Sequence, residues 1–158
     1  MNNKDFKAER ISKTAVITLD GKVETVFPLF GAFAERKWAK DWNPILIYPS
    51  AEKIEEGTTF KTKGNGHNEA EFVWRVSKYK TDKYLIQYLV TTENRYWTIT
   101  IECCPLTENR TSAEITYTFI GLNKLGNKIN ERSLERMYEH NLKDWEEAIN
   151  SYLKNNKY

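Results

Sequence analysis

Few side chains in this sequence could transfer protons within an apolar site, and two of them, Glu35 and Arg36, are adjacent. His140 is a third candidate. A general acid or base in such a site must point inward and have a pKa shifted by burial. Glu35 and Arg36 belong to a charged segment that is most simply solvated, and His140 falls off the apolar stripe of its helix. The sequence therefore favours a surface position for all three and leaves the catalytic residues unassigned.

Motifs for covalent, phosphate or metal chemistry are missing from the sequence. It contains no Gly-x-Ser-x-Gly elbow and no phosphate-binding glycine loop. His67 and His140 are the only histidines, and neither belongs to a His-Glu-x-x-His or Cys-x-x-Cys pattern. Cys103 and Cys104 are adjacent, so in a strand one should pack inward and the other face solvent, which excludes a disulfide framework. We expect no metal and no cofactor.

Composition and charge restrict the class of protein. At 158 residues and 18.6 kDa, the chain fits one domain over residues 1–158, since domains commonly contain roughly 100–150 residues. Twenty-four basic and twenty-two acidic residues give a net charge of +2, too weak an imbalance to indicate a nucleic-acid partner. The N-terminus lacks the apolar core of a signal peptide, and no apolar run approaches the ~20 residues that span a bilayer. We predict a cytoplasmic protein without stable membrane insertion.

The segment FAERKWAKDWNP, residues 33–44, sets two tryptophans four positions apart among charged side chains. An indole is costly to leave exposed, yet the segment is too charged for the deep core. Two interpretations of Trp38 and Trp42 remain open. They either staple short helices to the sheet or form a wall or mouth of a cavity.

The elements around this segment follow from periodicity. A first strand is predicted near Ala8–Leu19, followed by apolar helical patches over residues 23–30 and 32–39. From Ile45 onward the apolar period is two. The candidate strands are Ile45–Tyr48, Thr58–Lys63, Glu69–Tyr79, Tyr84–Thr92, Tyr96–Cys103 and Thr111–Ile120. Their short connections indicate an antiparallel meander.

The C-terminal region has the pattern of one long amphipathic helix. Its apolar stripe comprises Leu134, Met137, Tyr138, Trp145, Ala148, Ile149 and Tyr152. Leu125 and Ile129 do not fit the phase of that stripe, so we predict that the helix begins near Asn130, a plausible N-cap, after a loop over residues 121–127. Asn141 interrupts the stripe. Its amide must either satisfy a neighbouring group or reach into a cavity.

One apolar sheet face and one apolar helix stripe must cover each other, so we expect the sheet to curl around the helix. The aromatic residues expected on the inward face are Phe60, Phe72, Trp74, Tyr88, Trp97 and Tyr117. Their rings could fill the enclosed space or line a hollow.

This order of elements resembles the START-like (SRPBCC) superfamily, which includes the birch-pollen allergens, polyketide cyclases and many bacterial proteins of unassigned function. The most specific match is Glu35-x-Lys37-Trp38-x-x-x-Trp42-x-Pro44, after the Val26-Phe27-Pro28-Leu29 patch and before Phe60, which follows a Glu55-Glu56-Gly57 turn. The resemblance implies an α+β helix-grip fold. A curved antiparallel sheet of about seven strands would wrap a long C-terminal helix, with two short helices between the first two strands.

The resemblance also implies a cavity between sheet and helix that binds a hydrophobic or amphipathic small molecule, lipid-like or polyketide-like. Two alternatives remain: a cyclase- or hydratase-like enzyme that orients a reactive chain, and a protein-interaction domain with a filled core. We expect no nucleic-acid partner and a monomer or weak homodimer. The residues expected to bind ligand are Trp38, Trp42, Phe60, Phe72, Trp74, Tyr88, Trp97, Tyr117, Met137, Tyr138 and Asn141.

Overall fold

The computed structural model describes residues 6–66 and 69–156. His67 and the first five residues, on which part of the sequence analysis depends, lie outside the described residues. The described residues form a seven-stranded antiparallel sheet in the order β1-β7-β6-β5-β4-β3-β2. Its strands are β1 (Arg10–Leu19), β2 (Ile45–Tyr48), β3 (Thr59–Lys63), β4 (Glu71–Lys80), β5 (Leu85–Thr91), β6 (Arg95–Thr107) and β7 (Arg110–Gly121). The predicted meander is confirmed, and β1 and β2 occupy opposite edges.

Strand alternation puts the large rings on the inner face of the sheet. Trp97 of β6 lies opposite Phe119 of β7, and Ile99 lies opposite Tyr117. All four side chains are buried. Because successive strand residues point to opposite faces, the threonines between them lie on the outer face. The cysteines obey the same rule, and the prediction for them is confirmed: Cys103 is buried and Cys104 is exposed.

Two short helical stretches connect β1 to β2, as predicted. The first comprises α1 (Val23–Val26) and a 3₁₀ turn over Phe27–Phe30, and the second is a 3₁₀ turn over Ala34–Lys37. Pro28 fits the start of its turn, where its missing N–H group would have no partner in any case. Val26 and Phe30 are fully buried, so this connection closes one side of the core.

The C-terminal helix consists of two segments, α2 (Lys124–Met137) and α3 (Lys143–Asn155). The predicted start near Asn130 is wrong, because Asn123 is the N-cap: its side-chain oxygen accepts from the Gly126 N–H at 2.8 Å. Gly126 lies so close to the Asn94 carbonyl that a Cβ atom would overlap it. In the described part of the chain, no helix is long and apolar enough to cross a membrane.

The break between α2 and α3 explains why a single apolar stripe, fitted to the whole C-terminal region, was wrong. Asn141 and Leu142 adopt left-handed backbone angles, with φ of 52° and 59°, which end one helix and reset the rotation of the next. Asn141 is exposed, so its predicted place on the buried stripe is wrong, whereas Leu142 is 2% exposed. Extending one helical phase through these residues assigned the Asn141 side chain to the wrong side and left Leu142 out of the buried stripe.

Candidate functional site

A cavity of about 490 Å³ lies between α2 and the inner face of β4, β6 and β7. Its lining residues are Asn65, Phe72, Trp74, Arg95, Trp97, Tyr117, Phe119, Leu125, Ile129, Arg132, Ser133, Arg136 and Met137. Two other depressions, of about 590 and 550 Å³, are lined mainly by polar and charged side chains near or along α3. The aromatic lining makes the first cavity the best candidate for a ligand site, although it is not the largest of the three.

The sheet side of this cavity is an aromatic wall. The Trp97 ring lies edge-to-face with Phe72, with centroids 5.1 Å apart, and 5.4 Å from Phe119. Trp74 is fixed by a hydrogen bond from its Nε1 to the Thr62 hydroxyl at 2.9 Å. These contacts hold the rings in place before any ligand arrives.

The helix side is formed by one face of α2. Leu125, Ile129, Ser133 and Met137 follow each other at intervals of four residues, which places them in one row along the helix. Leu125 and Ile129, which the predicted helix left out, therefore face the cavity.

Arg95 lies at the base of the cavity and is almost fully buried, at 3% exposure. Its guanidinium donates to both carboxylate oxygens of Glu69, at 3.0 and 2.9 Å, and to Asn130 and Ser133, each at 3.2 Å. It also lies 4.5 Å from the centroid of the Trp97 ring. Glu69 is itself 2% exposed. The pair neutralises its own charge and joins α2 to the sheet.

Glu35 occupies an unexpected environment. Burial raises the pKa of its carboxyl well above the ordinary value, and among the described residues its side chain forms no hydrogen bond or ion pair. The pKa values of the Tyr88 and Tyr117 hydroxyls are raised mainly by burial and, as the second cause, by the charge of Glu35. Glu35 is half-buried and is therefore not freely solvated as predicted. The same prediction is confirmed for Arg36, which is exposed and pairs with Glu52 at 2.7 Å, and for His140, which is exposed.

Glu35→Gln should change how stability depends on pH. In the unfolded chain Glu35 ionises above a pKa of about 4.3, whereas the folded carboxyl keeps its proton to higher pH. The folded state therefore binds more protons in this window, and the free energy of unfolding of the wild type falls as pH rises. Relative to wild type, Glu35→Gln should therefore gain stability as pH rises from the unfolded pKa through the raised folded pKa. Urea denaturation at several pH values measures this difference.

Glu52→Gln provides a contrast for that experiment. The hydrogen bond from Arg36 lowers the pKa of the Glu52 carboxyl, so Glu52 stabilises the fold above its unfolded pKa and loses that contribution as pH falls. Its replacement should act in the opposite direction and weakly, because the pair is exposed. A Glu35→Gln profile parallel to that of the wild type would contradict the burial of the Glu35 carboxyl.

The structure places the predicted ligand-binding residues in three environments. Those that line the cavity are Phe72, Trp74, Trp97, Tyr117 and Met137. Phe60, Tyr88 and Tyr138 are buried in the core and do not line it. The Tyr88 hydroxyl donates to the Phe30 carbonyl at 2.7 Å, and the Tyr138 hydroxyl donates to the Ile115 carbonyl at 3.1 Å. Asn141 is exposed at the helix break and does not line it either.

Trp38 and Trp42 pack as the stapling interpretation describes. Their Nε1 atoms donate to the carbonyls of Leu29 and Ala32, at 2.7 and 2.6 Å. The Trp38 ring lies 5.8 Å from that of Trp145, and the Trp42 ring lies 5.3 Å from that of Trp74. The two indoles thus tie the 3₁₀ connection to α3 and to the sheet, and neither lines the cavity.

The cavity-lining residues that sequence reasoning did not predict are Asn65, Arg95, Phe119, Leu125, Ile129, Arg132, Ser133 and Arg136. For Arg95 a signal was present, because it lies two positions before Trp97 and alternation therefore puts both on the inner face. The helix residues had a weaker signal, since it depends on placing the start of α2 at Lys124.

Comparison with known proteins identifies the fold. No family model and no curated protein sequence matches the chain. Truncated norcoclaurine synthase from Thalictrum flavum matches with a TM-score of 0.72 at 11% identity, over 98% of this chain and 99% of that one. The Zhui aromatase/cyclase from Streptomyces sp. R1128 gives 0.66 at 13%, over 94% of each chain. Mll3558 protein from Rhizobium loti gives 0.60 at 14%, over 90% and 99%. The chain shares the α+β helix-grip fold of these solved structures.

Proposed function

We propose that the protein binds a hydrophobic or amphipathic small molecule in the cavity between α2 and the aromatic wall. The observation that carries this proposal is the cavity of about 490 Å³ with Phe72, Trp97 and Phe119 on one side and an apolar row of α2 on the other. Ligand sites commonly have volumes of about 300–1,000 Å³, a mostly apolar lining and a few polar groups that orient the ligand. A filled core would leave no such space.

The test is native mass spectrometry of the purified protein, followed by thermal-shift measurements with fatty acids, sterols and aromatic polyketide-like compounds. A ligand that binds the folded state alone stabilises it by about 2.7 kcal/mol at a concentration of 100 Kd. We expect a melting temperature that rises with ligand concentration. If no compound is bound and none shifts the melting temperature, binding is contradicted and the interaction-domain alternative is favoured.

A second candidate function, a cyclase- or hydratase-like enzyme, is supported by Glu35. Its half-buried carboxyl does not itself line the cavity, but its charge contributes to the raised pKa of the Tyr117 hydroxyl, and the Tyr117 ring lines the cavity. A buried carboxyl with a raised pKa can act as a general acid or base near neutral pH. The compounds recovered from the binding experiment distinguish the two functions. A carrier returns them unchanged. A cyclase that dehydrates its substrate returns a product lighter by one water, a hydratase returns one heavier by one water, and Glu35→Gln should stop either conversion.

A further inference from the structure

Arg132 and Arg136 form a positively charged pair at the edge of the cavity. They lie one helical turn apart on α2, and both are exposed and line the cavity. In the part of the chain that the structure describes, neither forms an ion pair within 4.0 Å, although Glu131 and Glu135 are their neighbours on the helix. Two guanidinium groups therefore lie beside an aromatic pocket without a carboxylate partner.

Arg95, the third arginine that lines the cavity, does have a carboxylate partner. Its charge is matched by Glu69 at 2.9 Å deep in the fold, so a ligand gains little net attraction from it. The unmatched charge at the cavity comes from the α2 edge. Ser133, between the two arginines in sequence, accepts a hydrogen bond from Arg95 at 3.2 Å, which leaves its hydroxyl hydrogen available to a ligand acceptor.

We propose that the molecule bound in this cavity carries one anionic group, a carboxylate or a phosphate, which Arg132 and Arg136 hold while its apolar body lies against the aromatic wall. This inference rests on the proposed binding function and specifies its ligand class. Guanidinium groups suit this role, because each presents a planar fork of donors that matches two oxygens of a carboxylate or phosphate.

The position of the pair at the cavity edge favours such a ligand over a neutral one. A neutral apolar molecule would use the wall formed by Phe72 and Trp97 but would place no acceptor near the two arginines. An anion there forms charge-assisted hydrogen bonds without burying an unpaired charge, because the arginines keep their contact with water. The same exposure predicts that salt weakens the attraction.

Isothermal titration calorimetry with three probes of one apolar body tests the proposal. 2-Naphthoate and 2-naphthyl phosphate carry the two anionic groups, and 2-naphthamide is the neutral control. We expect one or both anions to bind about tenfold more tightly than the amide at low salt, with a smaller ratio at high salt. The probe with the larger ratio distinguishes a carboxylate ligand from a phosphate ligand.

Variants assign the preference to its residues. The double variant Arg132→Gln/Arg136→Gln should lose the preference for anions and bind 2-naphthoate and 2-naphthyl phosphate no more tightly than 2-naphthamide. Lys128→Gln removes one positive charge one turn before Arg132, at an exposed residue that does not line the cavity, and should keep the preference. Circular dichroism confirms that all variants are folded.

The outcomes separate the two proposals. Equal binding of the anions and the amide by the wild type overturns the anionic ligand class and leaves the binding function standing. An anion preference that survives in the double variant overturns the role of the two arginines. Absence of binding by all three probes overturns the anionic-ligand proposal and counts against the cavity as a ligand site.

Discussion

Arg95→Met should lower the free energy of unfolding by about 3–5 kcal/mol, the usual loss when one partner of a buried ion pair is removed. Glu69 is 2% exposed and receives two hydrogen bonds from the Arg95 guanidinium, at 3.0 and 2.9 Å. Without that guanidinium the carboxylate keeps the Thr92 hydroxyl, at 2.8 Å, but loses its charge partner. The variant also frees Asn130 and Ser133 from the contact that ties α2 to the sheet. Urea denaturation at neutral pH measures the effect.

Two controls make this result specific to the buried charge. Arg110 pairs with Asp20 at 3.4 Å where both side chains are more than half exposed, so Arg110→Met should change stability by about 0–1 kcal/mol. In the double variant Glu69→Leu/Arg95→Met no unpaired charge remains, and part of the lost stability should return. An Arg95→Met variant within 1 kcal/mol of the wild type would show that water reaches Glu69 and that the pair is not a structural centre.

The strands were predictable because successive side chains alternate between the two faces of the sheet and one face is packed inward. The positions of Trp97, Ile99 and Tyr117 follow directly from alternation. Arg95 obeys the same alternation but lies just before the predicted strand Tyr96–Cys103, in a short connection, and a charged side chain at such a position is usually solvated. The burial of Arg95 depends on its ion pair with Glu69, which lies 26 residues earlier in the chain. A local sequence pattern contains no information about that partner.

The helix was less predictable, because its two segments have independent phases. Asn141 is one of the few non-glycine residues that adopt left-handed angles, but Leu142 is not, and no glycine or proline marks the break. The true start of α2 at Lys124 depends on Gly126 fitting against the Asn94 carbonyl, a tertiary contact. The cavity lining from Leu125 to Met137 could not be assigned until both ends of α2 were known.

Glu35 shows a different limit. Its neighbours Arg36 and Lys37 are exposed, so the average polarity of the segment correctly indicates a solvated turn. In a 3₁₀ turn, however, successive side chains point about 120° apart, and one of them can face inward while the others remain in water. The charge of a segment therefore does not predict the environment of each of its members.

Ile129→Trp should abolish binding of any ligand that occupies the cavity, with a loss in affinity of at least about 100-fold. Ile129 is half-buried on the cavity-facing row of α2, and an indole at that position would extend towards the aromatic wall and take the space of a ligand. Filling an empty apolar space also adds packing contacts, so the melting temperature without ligand should be equal to or higher than that of the wild type. Calorimetry with a ligand from the thermal-shift screen measures the affinity.

Glu135→Trp is the matched control, because it places the same indole on an exposed position of α2 that does not line the cavity. This variant should bind as the wild type does. A loss of binding in both variants would point to a general effect of tryptophan on α2 and not to steric exclusion. Unchanged binding by a folded Ile129→Trp variant would mean that the ligand occupies another part of the protein. A cavity of about 490 Å³ cannot hold both an added indole and a ligand of typical size.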